Sequence, residues 1–194
     1  MSTDPDYTTR LERLTGKPWK RLLRVQAPYR RHIRNVVEGE TLDVGCGIGR
    51  NLKHLDGRGV GVDVNPHSVA MAKQQGLDAY TTEEFGASPH AVPDRYDSLL
   101  IAHVLEHMTP SEASDLVGDY LTYLRPGGRV VVIVPQEAGF KSDSTHVTSL
   151  DLDDIARIEV RHGLVRERGY SFPFPRFVGR FFVHNETVAI SRKT

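Results

Sequence analysis

The stretch LLIAHVLEHMTPSEA, residues 99–113, places His103, Glu106 and His107 within five positions. Imidazoles and carboxylates are the side chains that move protons near neutral pH and hold divalent cations. Their spacing is i, i+3 and i+4, so one helical turn would put all three on one face. His146, in KSDSTHV, is a fourth group of the same chemistry. The competing reading is structural, with the glutamate bonding nearby backbone and the histidines filling a turn. What the rest of the chain builds around them decides between the two.

A second constellation lies in LDVGCGIGRNL, with glycines at 45, 47 and 49. Glycines let backbone approach a ligand closely and tolerate positive φ, and a helix after the loop would present free N–H groups. The spacing differs from the G-x-G-x-x-G of dinucleotide sites, which argues against a nicotinamide oxidoreductase. Asp43 stands two residues before Gly45. A carboxylate there would repel a pyrophosphate but could accept hydrogen bonds from an ammonium group. Asp63 follows Gly45 by eighteen residues and ends the next strand-like run, where an acid can bond ribose hydroxyls. Cys46, the single cysteine, reads as a small filler inside the loop, and the chain cannot form an internal disulfide.

These residues need elements to position them. ETLDVGCG, GRGVGVDV, LDAYTT, YDSLLIAH, RVVVIVP, LVRERGYSF and FFVHNETVAISRK read as seven strands. Helices are expected at RNLKHL, PHSVAMAKQQG, TPSEASDLVGDYLTYLRPGG and SLDLDDIARIEVRHG. Thr109 and Glu112 form a capping box with Pro110 at the first helical position, and Pro126, Gly127 and Gly128 are expected to end that helix. Alternation of this kind predicts an α/β fold with a doubly wound, seven-stranded sheet, mostly parallel, closed by a C-terminal antiparallel hairpin. Ligands of such sheets lie beyond the carboxyl ends of the strands. DVGCGIG, DVN and AHVLEH therefore share one edge.

The length of 194 residues suits a single domain, 1–194. Residues 38–194 would form the core and 1–37 a helical lid or cap, with helical apolar spacing at Trp19, Leu22, Leu23 and Gln26. Between Arg10 and Arg34 lie nine Lys or Arg and one acid, Glu12. They read as a solvated helix face or as a lid meeting an anionic group. Net charge is zero, so no global field recruits nucleic acid or an anionic membrane. The apolar runs are too short to span a bilayer, and the polar N-terminus lacks a signal-peptide layout. A cytoplasmic location without membrane insertion is expected. A homodimer through the N-terminal helices stays open.

LDVGCGIGRNLKHL, GVGVDVNPHSVAMAK, YDSLLIAHVLEHM and YLRPGGRVVVIVP resemble, in order and interval, the four successive motifs of class I S-adenosylmethionine-dependent methyltransferases. The resemblance covers about residues 38–136. It implies a Rossmann-like methyltransferase fold, S-adenosylmethionine as cofactor and S-adenosylhomocysteine as product. Asp43, Gly45, Gly47 and Gly49 would line the methionine part, and Asp63 would hold the ribose. Val64, Asn65, Thr82 and Glu83 would border the adenine, although the TTEE turn departs from the usual Asp and small residue. Ala102 and His103 would flank the sulfonium.

Some members carry an acid, then Glu-His, with or without a later His, as a divalent metal site gripping vicinal oxygens of the acceptor. The resemblance thus implies a metal set of His103, Glu106, His107 and His146. His103 stands where those members have Glu, which weakens the case for Mg²⁺ and suits Mn²⁺ or Zn²⁺ better. A metal-free site with His146 as general base, helped by His103, remains the alternative. Loops PQEAGFKSDSTHV and YSFPFPRFVGRFF would border the acceptor, with Gln136, Glu137, Asp143 and Thr145 beside Phe172, Phe174 and Phe177. Polar groups beside aromatic faces suit a small-molecule or oligosaccharide substrate, so a hydroxyl of a carbohydrate is the expected acceptor. Compact relatives with PQEAGF…THV resemble bacterial sugar or polysaccharide O-methyltransferases, such as those of methylmannose polysaccharides. RNA 2′-hydroxyls, a phenol or quinone precursor, and a non-catalytic cofactor-binding partner subunit are the rival readings.

Overall fold

Apolar β-branched runs become the strands of one sheet in the computed structural model, which describes residues 27–194. The strands are β1 (Thr41–Val44), β2 (Gly59–Asp63), β3 (Ala79–Thr81), β4 (Tyr96–Ala102), β5 (Leu124–Pro135), β6 (Leu164–Phe172) and β7 (Glu186–Lys193). Their order is β3-β2-β1-β4-β5-β7-β6. The first five pair in parallel. β7 runs antiparallel between β5 and β6. This is the doubly wound, seven-stranded architecture the sequence implies. Strand order reverses between β1 and β4, so the carboxyl ends of these two strands open a crevice.

The helices are α1 (Ala27–Val36), α2 (Pro66–Gln74), α3 (Thr82–Gly86), α4 (Pro110–Leu121), α5 (Glu137–Lys141) and α6 (Leu152–Arg161). α4 starts as expected: Thr109 Oγ1 accepts the Glu112 N–H, and Glu112 returns the bond to the Thr109 N–H at 2.8 Å. It ends earlier than expected, at Leu121. Leu124 is fully buried and pairs opposite Tyr96, so the chain is already strand when it reaches Pro126.

RNLKHL does not form an α-helix. Residues Leu52–His54 make only a 3-10 turn, and Asp56 and Gly57 at φ +53° and +78° swing the chain into β2. The eleven residues from Gly49 to Gly59 must turn and return, which leaves no room for a longer helix. The glycine loop is therefore not followed by a regular helix N-terminus.

Core packs on both sheet faces. Leu99 and Ile101 of β4 point to one side, with α4 and α6. Leu100 and Ala102 point to the other, where Ile33, Val36 and Val37 join Val131, Ile133, Val188 and Ile190. Of the expected lid or cap over 1–37, the described part, α1, packs Ile33 and Val36 into this core; Trp19, Leu22, Leu23 and Gln26 lie outside the described residues. Ile33→Ala should lower stability by about 2–5 kcal/mol, read as a lower urea midpoint at unchanged slope. A helix acting only as a lid would leave the midpoint where it was.

Candidate active site at the carboxyl edge of the sheet

The glycine loop leaves β1 with Gly45, Gly47 and Gly49 at φ +75°, +52° and +78°. At Gly49 a Cβ would also fall 2.3 Å from Leu77 Cδ1, so both backbone and packing demand glycine. Gly47 faces open space, with nothing within 4 Å of an added Cβ. Its N–H donates to Asp63 Oδ2 at 2.8 Å, while the Asn65 N–H donates to Oδ1 at 2.8 Å. Asp63 thus ties the end of β2 to the loop. Burial pushes its pKa up, and those two N–H groups pull against the rise. Each carboxylate oxygen keeps a lone pair for a further donor.

Asp43 is 1% exposed, and neither of its oxygens meets hydrogen-bond geometry with any described group. Burial raises its pKa to about 7; the Asn51 side chain opposes the rise, Asp63 adds to it and Arg50 opposes it. A buried carboxylate without donors is costly unless a cation or N–H group arrives. Cys46 is buried, and burial raises its thiol pKa, which makes it the inert filler the sequence suggests.

The adenine-end residues are less uniform. Val64 is 40% exposed. Asn65 is buried and caps α2, its Oδ1 accepting the N–H groups of His67 and Ser68 at 3.0 and 3.2 Å. Thr82 and Glu83 are exposed on the first turn of α3, which Thr81 caps.

Ala102 ends β4, and His103 follows at φ +60°. That left-handed backbone is strained for a residue with a side chain. It aims the imidazole between two carboxylates. Nε2 lies 2.8 Å from Glu186 Oε1 and Nδ1 lies 3.3 Å from Glu106 Oε1. Burial pulls the His103 pKa down, but Glu186 and Glu106 outweigh it and hold it up to about 10. The side chain remains 35% exposed, so solvent screens part of that hold. With both nitrogens facing carboxylates and the ring protonated, His103 offers no lone pair. The ligand atoms that come together among the described residues are those of Glu106, His107 and His146, without His103.

Glu106, His107 and His146 do come together, with one ligand atom from each within 4.8 Å of the others. Glu106 is fully buried, and neither oxygen makes a hydrogen bond of good geometry. His107 Nδ1 lies 3.2 Å from the Thr145 carbonyl, and His146 Nδ1 lies 2.8 Å from the Phe140 carbonyl. A carbonyl can only accept, so both Nδ1 atoms donate, and a ring in its neutral form then has its lone pair on Nε2. Burial lowers the His107 pKa, with Glu106 opposing. The backbone carbonyl of Glu106 accepts the Val147 and Thr148 N–H groups at 2.7 and 3.1 Å, which carries His146 to its place.

Sequence reasoning missed Glu186 and Tyr29. Glu186 is 7% exposed at the start of β7 opposite Pro135, and a lone acid opening a β-branched strand was the available signal. The Tyr29 hydroxyl is buried and meets no hydrogen-bond geometry among the described residues, and Arg50 lies 5.1 Å from its ring. Two expected acceptor contacts are already engaged. Gln136 bonds Ser171, Glu186, Thr187 and Asn185 inside the fold. Glu137 takes a bidentate pair from Arg176 at 2.6 and 2.7 Å.

Residues 42–132 match the family described as a methyltransferase domain. The fold is that of the S-adenosylmethionine-dependent methyltransferases. An uncharacterized methyltransferase of Bacillus cytotoxicus is 27% identical over 170 residues, spanning 78% of this chain and 80% of that protein. A SAM-dependent methyltransferase from Archaeoglobus fulgidus superposes with a TM-score of 0.69 at 19% identity, over 96% of this chain and 99% of its own. Magnesium protoporphyrin IX methyltransferase from Synechocystis PCC 6803, solved with bound SAH, gives 0.66 at 16% identity, over 99% and 96%. The proteins this chain resembles are thus methyltransferases, and what it shares with the solved ones is the fold. Methyltransferase folds serve many acceptors, so likeness of fold does not choose the acceptor atom. No described helix is long and apolar enough to cross a membrane.

His103 gains a proton-binding partner on folding, so its folded pKa of about 10 stands above the ordinary 6.5. Its contribution to stability is full below about pH 6.5 and is lost as pH rises towards 10. Glu186→Gln should lower the urea midpoint at pH 7 and flatten the decline between pH 7 and 10 relative to wild type. Parallel curves for the two proteins would remove Glu186 as the holding group.

Proposed function

We propose that this protein is a S-adenosylmethionine-dependent O-methyltransferase that grips its acceptor through a divalent cation at Glu106, His107 and His146. The carrying observation is that triad: a buried, unbonded carboxylate beside two imidazoles whose Nδ1 protons are both tied to backbone carbonyls. Two nitrogens and one carboxylate suit Mn²⁺ or Zn²⁺ better than Mg²⁺. Such an ion, when bound, polarises acceptor oxygens and eases loss of a hydroxyl proton.

The chain's own residues supply the rest. Asp43 accepts the cofactor's ammonium group, which relieves its uncompensated burial. Gly47, with no side chain and open space before it, lets the cofactor lie against the backbone. Asp63, already fixed by two N–H groups, takes ribose hydroxyls on its remaining lone pairs. Ala102 and His103 sit where the methyl group passes, and a displacement at carbon needs the acceptor oxygen held in line with it. His103, as an imidazolium between Glu186 and Glu106, places Glu106 rather than acting as base. Thr145 and Phe140 orient His107 and His146.

For the acceptor we favour a carbohydrate carrying vicinal hydroxyls, the pair of oxygens that a cation held at Glu106, His107 and His146 would grip. The exposed Phe174 and Phe177 favour a second reading, a phenol or quinone precursor with an apolar tail. Zero net charge counts against RNA.

S-adenosylhomocysteine should raise the melting temperature, and Asp63→Ala should abolish that rise; an unchanged curve for wild type at saturating ligand removes the cofactor assignment. Because Asp43 titrates near pH 7 when empty, affinity should be level above that pH. Below it, affinity should weaken by up to about tenfold per unit. Calorimetry between about pH 5.5 and 8 reads this, and a flat profile would contradict Asp43 as the ammonium partner. Radiolabelled transfer to sugars, phenols and RNA should stop in excess chelator and return with Mn²⁺. Full activity in chelator would instead leave His146 as a metal-free base.

A further inference from the structure

The connection between β6 and β7 presents apolar side chains to solvent in a way the core does not explain. Phe174, Phe177, Phe181 and Val183 are 48%, 66%, 83% and 43% exposed, and Val147, next to His146, is 60% exposed. Single exposed apolar residues are ordinary, but a cluster in one short connection marks a contact surface.

The connection is built to hold them outward. Asn185, fully buried, accepts the Phe174 N–H at 2.9 Å and donates to the Phe174 and Pro175 carbonyls at 3.2 and 3.3 Å. A 3-10 helix, Arg176–Arg180, follows, with the Phe181 and Phe182 N–H groups returning to the Val178 carbonyl at 3.0 and 2.9 Å. Arg176 clamps this helix to Glu137 of α5. Close packing fixes it further, since a Cβ on Gly139 would fall 2.7 Å from the Val183 carbonyl oxygen. A collapsing loop would bury its phenyl rings; this one is braced with them exposed.

Beside the rings cations outnumber acids, with Arg176, Arg180 and Lys141 against Glu137 and Asp143. Arg180 and Lys141 make no ion pair among the described residues, and both are exposed. Both Glu137 oxygens are taken by Arg176. Asp143 accepts the Thr145 N–H and hydroxyl within its own turn. Exposed aromatics beside a net positive set of side chains match the interface of an anionic bilayer: rings enter the headgroup boundary and cations stay at phosphate level. The chain's zero net charge supplies no long-range attraction, so the rings carry the contact and the cations orient it.

We infer that this connection is a docking surface for an anionic membrane, with Phe177 and Phe181 inserting and Arg180 and Lys141 meeting lipid phosphates. α5 joins the surface to the triad, because Phe140 both holds His146 and lies on the helix that braces the platform. Resting on the function proposed above, the consequence is that the acceptor is an amphiphile presented at the lipid surface.

The full chain is sedimented with vesicles of phosphatidylcholine alone or mixed with phosphatidylglycerol, without cofactor or acceptor, so the outcome is independent of methyl transfer. Wild type should pellet with the mixed vesicles. Phe177→Ser with Phe181→Ser should bind at least tenfold more weakly with an unchanged melting temperature. Arg180→Glu with Lys141→Glu should lose the preference for phosphatidylglycerol, as should wild type in high salt. Wild type remaining in the supernatant, or both variants pelleting like it, overturns the inference. So does light scattering that shows a wild-type dimer turned to monomer by the phenylalanine pair, which would make the face a contact between copies of the chain.

Discussion

Four buried carboxylates, Asp43, Asp63, Glu106 and Glu186, lie along the carboxyl edge of this sheet, and their desolvation is the constraint that shapes the site. Water lost by a carboxylate must be replaced by donors or by positive charge. Asp63 receives two backbone N–H groups and becomes the peg of the glycine loop. Glu186 receives His103. Among the described residues Asp43 has no donor in hydrogen-bond geometry, and Glu106 has only the more distant contact with His103. Groups left this way are where a fold gives up stability for a ligand. The two incomplete carboxylates accordingly mark the two positions to which the proposed function brings positive charge, the cofactor's ammonium and a divalent cation.

Sheet topology makes this concentration possible. Reversal of strand order sets the ends of β1 and β4 side by side, so Asp43 and His103 emerge into one crevice. Insertion of β7 antiparallel between β5 and β6 brings its first residue, Glu186, to the same edge as the last residue of β5. A parallel strand in that place would present its carboxyl end there instead, and Glu186 would sit at the opposite edge. The hairpin that completes the sheet thus also supplies the counter-charge for His103. The same connection carries the braced aromatic platform, which links the surface of the molecule to the loop that holds His146.

Much of this was readable in the residues. Strand and helix alternation specified the sheet, because period and turn chemistry are local properties. The capping box at Thr109 and Glu112 formed as read, since it needs only four neighbouring residues. The glycines at 45, 47 and 49 took the left-handed conformations their type permits. Glu106, His107 and His146 met as a group, though the last lies in another loop.

Other features were beyond local reading. RNLKHL has helical spacing, yet the distance back to β2 allowed only one tight turn. The basic run around α1 read as a solvated helix face or a lid, and local sequence did not show that Ile33 and Val36 would pack on the sheet. His103 shares a helical spacing with Glu106 and His107, but its φ of +60° breaks that turn and sends the ring towards Glu186, 83 residues away. Residue types and spacing determined which chemistry this protein has available: acids, imidazoles and a glycine loop on strand ends. Tertiary structure alone decided which of those groups are neutralised and which stay open, because the pairing of a buried charge depends on partners that only long-range strand order brings within reach.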